Sequence, residues 1–278
     1  AQDLEDSAAL IDGREFSSVY FGGGTPSLAS AEAIAIILDA VKQNPLSKEM
    51  EITFEMNPRD VSANKLSDLS ALGINRYSLG VQSYNDPELK GLGRNHDKAS
   101  GIEATNLLKG MNSTIDLIYG TEYQTATSFQ ETLEQFIDSQ INHLSLYQLT
   151  IEPNTQFASK PPTLPQDETL WDIQEQGQAL LAQAGYQQYE ISGYAKPGYQ
   201  CQHNLNYWRF GDYLGIGCGA HGKVTDAKTG VITRTEKVKH PRGYMDIIKP
   251  YLYKSWQVEQ DDLAFEFFMN RFRLIEPC

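Results

Sequence analysis

A chain of 278 residues carrying 36 acidic against 23 basic side chains, a net charge of -13, is large enough to bury its own core and too acidic to draw a phosphate backbone to its surface. Its 3 cysteines, Cys201, Cys218 and Cys278, are far apart, which excludes a disulfide framework or a Cys-x-x-Cys metal site and points to a reducing, cytoplasmic setting. Apolar runs are broken by charge or glycine every few residues, so neither a transmembrane segment nor nucleic acid as a partner is expected.

From Ser18 to Ile191 short β-branched or aromatic runs alternate with segments of helical period, which predicts repeated βα units and a parallel sheet. The predicted strands are Ser18–Phe21, Glu51–Glu55, Arg76–Val81, Thr114–Ile118, His143–Leu149 and Gln187–Ile191. Between them Ala31–Gln43, Ala63–Leu72, Lys98–Leu108, Ser128–Ser139 and Glu168–Ala184 place apolar residues three and four apart and read as helices. Ser30 and Ser62 sit where N-caps belong, and Gly73, Gly110 and Gly185 follow helical runs as stops. The expected fold is α/β, with residues 1–191 forming a partial TIM-type (βα)6 barrel; an open doubly wound sheet is the alternative. Residues 192–278, richer in aromatics and glycine, read as an accessory region with a strand near Val231–Thr235 and helices near Gly243–Leu252 and Leu263–Leu274. The missing methionine before Ala1, and an end directly after a helix-like run, lead us to expect a fragment.

Ligand sites in such folds form at the C-terminal edges of the strands. Those edges carry Gly22-Gly23-Gly24-Thr25-Pro26, Glu55, Gln82, Asp116 and Gln148. Consecutive glycines let backbone groups approach a carboxylate or an ammonium group, although a tight strand-to-helix turn uses glycine for steric reasons alone. Glu55 is left at a strand tip by Asn57-Pro58; it suits a ligand amino group, or else a helix cap or a pairing with Arg76. Asp116 lies in an apolar run where an unpaired carboxylate is costly, and a vicinal diol would satisfy it. Gln82 and Arg94 complete a set suited to hydroxyls and a carboxylate. Farther on, Cys201 and His203 stand two residues apart before Tyr207-Trp208. They can serve a metal or a heme iron, or form a buried loop in which His203 bonds the backbone.

Taken together, Phe21-Gly22-Gly23-Gly24-Thr25-Pro26-Ser27, Glu55-Met56-Asn57-Pro58, Gly80-Val81-Gln82-Ser83, Gly93-Arg94-Asn95-His96 and Ile115-Asp116-Leu117-Ile118-Tyr119-Gly120 resemble the oxygen-independent coproporphyrinogen III oxidase group of radical S-adenosylmethionine proteins. Tyr147-Gln148-Leu149-Thr150, His203-Asn204-Leu205-Asn206-Tyr207-Trp208 and Gly217-Cys218-Gly219-Ala220-His221-Gly222 are similar to the heme chaperones of that group. The resemblance implies that Gly23, Gly24 and Thr25 hold the methionine end of S-adenosylmethionine, Glu55 its amino group, and Gln82 and Asp116 its ribose, with Arg94 nearby. It also implies that His203 binds heme.

The group's CxxxCxxC motif for a 4Fe–4S cluster belongs after a first barrel strand and is not in this sequence, so no metal ligand is assigned here and the barrel is expected to lack that strand. The family's Leu-Pro-x-Gln-Thr turn is replaced after Gly120 by Thr121-Glu122-Tyr123-Gln124-Thr125. The implied function is heme binding and delivery to acceptors such as respiratory enzymes; the alternative is radical decarboxylation of coproporphyrinogen III. A phosphate-binding barrel without a cluster is a third reading, and monomer and homodimer both stay open.

Overall fold

The computed structural model describes residues 1–11, 13–246 and 248–276. Its strands are β1 (Phe16–Phe21), β2 (Leu46–Met56), β3 (Arg76–Gln82), β4 (Ser113–Tyr119), β5 (His143–Gln148), β6 (Gln187–Gln188), β7 (Gly193–Ala195), β8 (His221–Thr225), β9 (Ile232–Lys237) and β10 (Leu252–Gln257). Its α-helices are α1 (Gln2–Asp6), α2 (Ala31–Val41), α3 (Ala63–Leu72), α4 (Asp86–Gly91), α5 (Lys98–Leu107), α6 (Ala126–Ser139), α7 (Gln156–Ser159), α8 (Asp167–Gln183), α9 (Gln202–Trp208), α10 (Pro241–Tyr244) and α11 (Leu263–Arg271). Two compact units result, one of residues 19–31 and 51–200, the other of residues 1–18, 32–50 and 201–278.

The expected α/β fold with a parallel sheet is present. A seven-stranded sheet runs β1-β2-β3-β4-β5-β7-β6, and β2 to β5 pair in parallel. Alternation along a strand sends successive side chains to opposite faces. Phe54, Leu79, Ile115 and Leu144, all fully buried, line one face and contribute about 1.5–3 kcal/mol each. Helices cover that face: the Tyr77 hydroxyl meets Ser70 of α3 at 2.7 Å, and the Tyr119 ring packs 6.0 Å from Phe129 of α6. α6 and α8 approach closely at Gly177, where an added Cβ would lie 2.8 Å from the Phe129 ring.

The other face is polar. It presents Thr53 and Glu55 on β2, Arg76 and Ser78 on β3, Thr114 and Asp116 on β4, and His143 and Ser145 on β5. Arg76, buried to 1% exposure, donates to Asn112 Oδ1 and Thr114 Oγ1 at 3.0 and 2.8 Å. Its nearest carboxylate is Glu51 at 3.8 Å, not Glu55 as the sequence allowed. Burial holds the His143 imidazole well below the usual histidine range, and its Nε2 lies 2.8 Å from the Tyr189 hydroxyl.

Local caps follow the sequence. Ser62 accepts from Lys65 N at the start of α3, and Gly73 ends it in the left-handed region at φ 103°. Two expectations differ. In place of a parallel strand over Gln187–Ile191, the chain reverses: Tyr189 N donates to Gly193 O, and β7 pairs antiparallel with both β5 and β6. Gly193 permits this reversal, since a Cβ there would strike Glu190 at 2.7 Å.

In the other unit, β8, β9 and β10 form an antiparallel sheet in the order β10-β9-β8. The helix expected over Gly243–Leu252 shrinks to α10, which Pro241 starts. Pro250 disfavours helix at the residue before it, and the following residues become β10; Ile247 lies outside the described residues. Among the described residues no helix is long and apolar enough to cross a membrane.

Candidate functional site

The polar face of the parallel sheet ends in the glycine loop after β1. Gly23 and Gly24 take φ of 72° and 53°, a conformation that glycine adopts without a side-chain clash. Gly22 is required for a different reason. A Cβ there would lie 2.7 Å from Tyr20 Cε1 and 3.1 Å from Glu55 Oε1. Thr25 is exposed and makes no capping bond to the short 3-10 turn at Pro26–Leu28. Below the loop, buried Ser27 donates to Asp60 Oδ2 at 2.5 Å, and Lys65 Nζ bonds the Ser27 carbonyl.

Glu55 stands beside this loop, half-buried, and accepts from the Tyr20 hydroxyl at 2.7 Å. It neither caps a helix nor pairs with Arg76. Ser78 lies opposite Glu55 in the sheet register and donates to Asp116 Oδ2 at 2.8 Å. Asp116 in turn lies opposite Ser145. Burial pushes the Asp116 carboxyl up to about 6, the negative Glu55 adds to the rise, and hydrogen bonds from Ser78 and Ser145 together with the Arg76 charge oppose it.

Gln82 ends β3 with φ 69°, and Ser83 N donates back to Val81 O at 2.9 Å. That is a γ-turn of positive φ, the rare and strained hand, at a cost of about 1–3 kcal/mol for a residue with a side chain. The Gln82 carboxamide folds back over Gly80, where an added Cβ would meet its Nε2 at 2.8 Å. Arg94 Nη2 reaches Asn57 Oδ1 at 3.0 Å and Gly80 O at 3.1 Å, while its buried Nε has no partner. Burial lowers the pKa of the guanidinium.

Glu55 and Gln82 thus stand at the C-terminal ends of β2 and β3, the glycine loop follows β1, Asp116 sits midway along β4 on the same polar face, and Arg94 reaches in from a loop to the Gly80 carbonyl. Two carboxylates, a carboxamide and a partly unsatisfied guanidinium suit a ligand bearing an ammonium group and hydroxyls. Tyr20, Ser78, Asn57 and Ser145 were not singled out in the sequence. Their signal was period-two alternation, Tyr20 two residues before Gly22 and Ser78 two after Arg76, but only the register says which strand positions face each other.

His203 belongs to the other unit, on α9. Its Nδ1 lies 3.0 Å from Ser18 Oγ, and its ring meets Tyr207, one helical turn on, edge to face at 5.0 Å. Tyr207 packs 4.3 Å from the Tyr213 ring, and burial pushes its phenol up to about 12. Trp208 lies under the Arg273 guanidinium at 4.2 Å. Cys201 is buried, Cys218 is exposed and Cys278 lies outside the described residues. Among the described residues no group of three or more His, Cys, Asp or Glu side chains is placed to hold a metal ion.

Comparison with known proteins places these features in a family. The Radical SAM superfamily model matches residues 2–136. The heme chaperone HemW of Escherichia coli (strain K12) is 52% identical over 99% of this chain and 73% of its own length. The HemW of Haemophilus influenzae is likewise 52% identical, over 99% of this chain and 72% of its own length. Among solved structures, the coproporphyrinogen III oxidase HemN from Escherichia coli, a radical SAM enzyme, superposes with a TM-score of 0.82 over 98% of this chain and 67% of its own. At 24% identity that likeness speaks to the fold alone.

Proposed function

The chain belongs to the HemW heme chaperone family of the radical SAM superfamily, and from that premise we propose that it binds heme and passes it to acceptor proteins such as respiratory enzymes. The 52% identity to named heme chaperones across 99% of the chain carries this reading. On it, residues 1–191 serve S-adenosylmethionine and residues 192–278 carry the heme motif, with His203 as the iron ligand.

The superfamily implies S-adenosylmethionine and a 4Fe–4S cluster. The residues at the sheet edge fit the first: the open glycine loop and the partnerless Arg94 Nε leave backbone and guanidinium groups to be satisfied. Gly23, Gly24 and Thr25 would hold the methionine end, Glu55 the amino group, and Gln82 and Asp116 the ribose hydroxyls, with Arg94 beside them. Bound there, S-adenosylmethionine would supply a sulfonium centre, the source of the superfamily's radical chemistry. Tyr20 orients Glu55, and Ser78 orients Asp116. The residues in hand do not fit a 4Fe–4S cluster, because the sequence holds no CxxxCxxC motif and no convergent set of thiolates is present among the described residues.

Heme is cargo on this reading. α9 sets His203 and Tyr207 on one side of a short helix, and the Ser18 hydroxyl bears on Nδ1. A hydrogen bond at one ring nitrogen bears on which tautomer the imidazole adopts. Incubation of the heme-loaded protein with an apo-acceptor tests the proposal: heme should move to the acceptor, monitored by its absorbance. Turnover of coproporphyrinogen III to protoporphyrinogen IX under anaerobic conditions would instead support the oxidase.

A further inference from the structure

We propose that Glu88 is a positioning residue which acts through Ser83 to hold Gln82 in its strained turn at the mouth of the sheet. The inference rests on the reading of that mouth as an S-adenosylmethionine site.

Glu88 lies on α4 and is 0% exposed. Its partners are neutral donors: Ser83 Oγ and Gln124 Nε2 on Oε2 at 2.7 and 2.9 Å, and Ser128 Oγ on Oε1 at 2.6 Å. A carboxylate buried among hydroxyls and an amide is costly to fold, and an apolar residue would pack there more cheaply. Its partners say what it accomplishes. Ser83 is the residue whose N–H closes the γ-turn on Val81, so anchoring its side chain fixes the exit of the turn centred on Gln82. Ser83 Oγ also accepts from Asn85 N at 3.0 Å, which ties the turn to the start of α4.

The second arm of the carboxylate acts on the neighbouring loop. Gln124, bonded to Glu88, accepts from Gly120 N at 2.7 Å. Ser128, bonded to the other oxygen, belongs to the capping box that starts α6. One carboxylate therefore sets the loops after β3 and after β4, the strands that deliver Gln82 and Asp116. Gln124 is thereby held at both ends of its carboxamide. A strained φ persists only where its surroundings over-determine it; His96 Nε2, 2.9 Å from the Val81 carbonyl, holds the entry of the turn, and Glu88, through Ser83, its exit.

The test measures S-adenosylmethionine affinity by calorimetry and amide hydrogen exchange by NMR in wild type, S83A, E88Q, Q82A and S83A/Q82A. S83A is the principal variant, because it cuts the link to the turn and leaves Gln124 and Ser128 on Glu88. We expect S83A and Q82A each to weaken binding on the order of tenfold and the double variant to be no weaker than either. The backbone amide at position 83 should lose protection in S83A and E88Q while the Ile115 amide keeps its own. Multiplicative losses in the double variant, or unchanged protection at position 83 in both S83A and E88Q, would overturn the proposal. If Q82A and an Asp116→Asn variant both bind as wild type, the S-adenosylmethionine reading fails, and the exchange data still decide the role of Glu88.

Discussion

The Tyr20 hydroxyl donates a 2.7 Å hydrogen bond to Glu55 Oε1, and the same ring fills the space that a side chain at position 22 would need. One aromatic residue on β1 therefore orients the carboxylate and makes the first glycine of the loop obligatory. The glycine run combines two constraints: Gly22 is fixed by contact, Gly23 and Gly24 by backbone angle.

Two substitutions separate these roles. Tyr20→Phe should weaken S-adenosylmethionine binding about three- to tenfold, the net worth of an ordinary hydrogen bond, with a stability change of at most about 1 kcal/mol. Gly22→Ala should lose more, because the new Cβ displaces both the ring and the carboxylate. Calorimetric titration beside a thermal melt reads both, and equal affinity in Tyr20→Phe and wild type would remove Tyr20 from the site.

Asp116 predicts opposite pH trends for folding and for binding. Its carboxyl is pushed up to about 6 in the fold, above an unfolded value near 3.9, so the native state favours the protonated form. The stability this supplies is complete below the unfolded value and is lost as pH rises through 6, a fall of about 3 kcal/mol. Urea midpoints should show the decline in wild type and its loss in Asp116→Asn. Ribose hydroxyls donate best to the charged form, so affinity should instead tighten as pH rises through 6.

Asp212 holds the other unit together. It takes Lys223 Nζ at 2.8 Å, Arg14 Nη1 at 2.7 Å, and both the backbone N–H and the hydroxyl of Thr225 at 2.7 Å. Burial alone would raise its pKa, but the bonds from Lys223 and Thr225 outweigh burial and hold it below the usual range. That stabilisation is present above the unfolded pKa and is lost as pH falls through the lowered one. Asp212→Ala leaves Lys223 buried without a counter-charge, and chemical denaturation should register a loss of about 3 kcal/mol.

Much of this was legible because local and long-range signals agree through the first five strands. β-branched runs, the Ser62 cap and the Gly73 stop all mark boundaries that the fold keeps. The reversal at Tyr189–Gly193 was not legible, since Gln187–Ile191 has strand composition and only the pairing of β7 with β5 decides its direction. β10 was missed because its partner, β9, lies elsewhere in the chain and its side chains are exposed, which leaves little pattern. At the site, glycine, Glu55 and Asp116 stand out by type and position. Tyr20, Ser78 and Glu88 matter only through neighbours from other segments, which no periodicity announces.

The central claim is that His203 is the heme ligand of a heme-delivering protein. Heme titrated into wild type and into His203→Ala, followed by Soret absorbance, tests it most directly. The account predicts a saturable shift in wild type and, in the variant, an altered spectrum with affinity reduced at least about tenfold; identical spectra and affinities in the two proteins would contradict it.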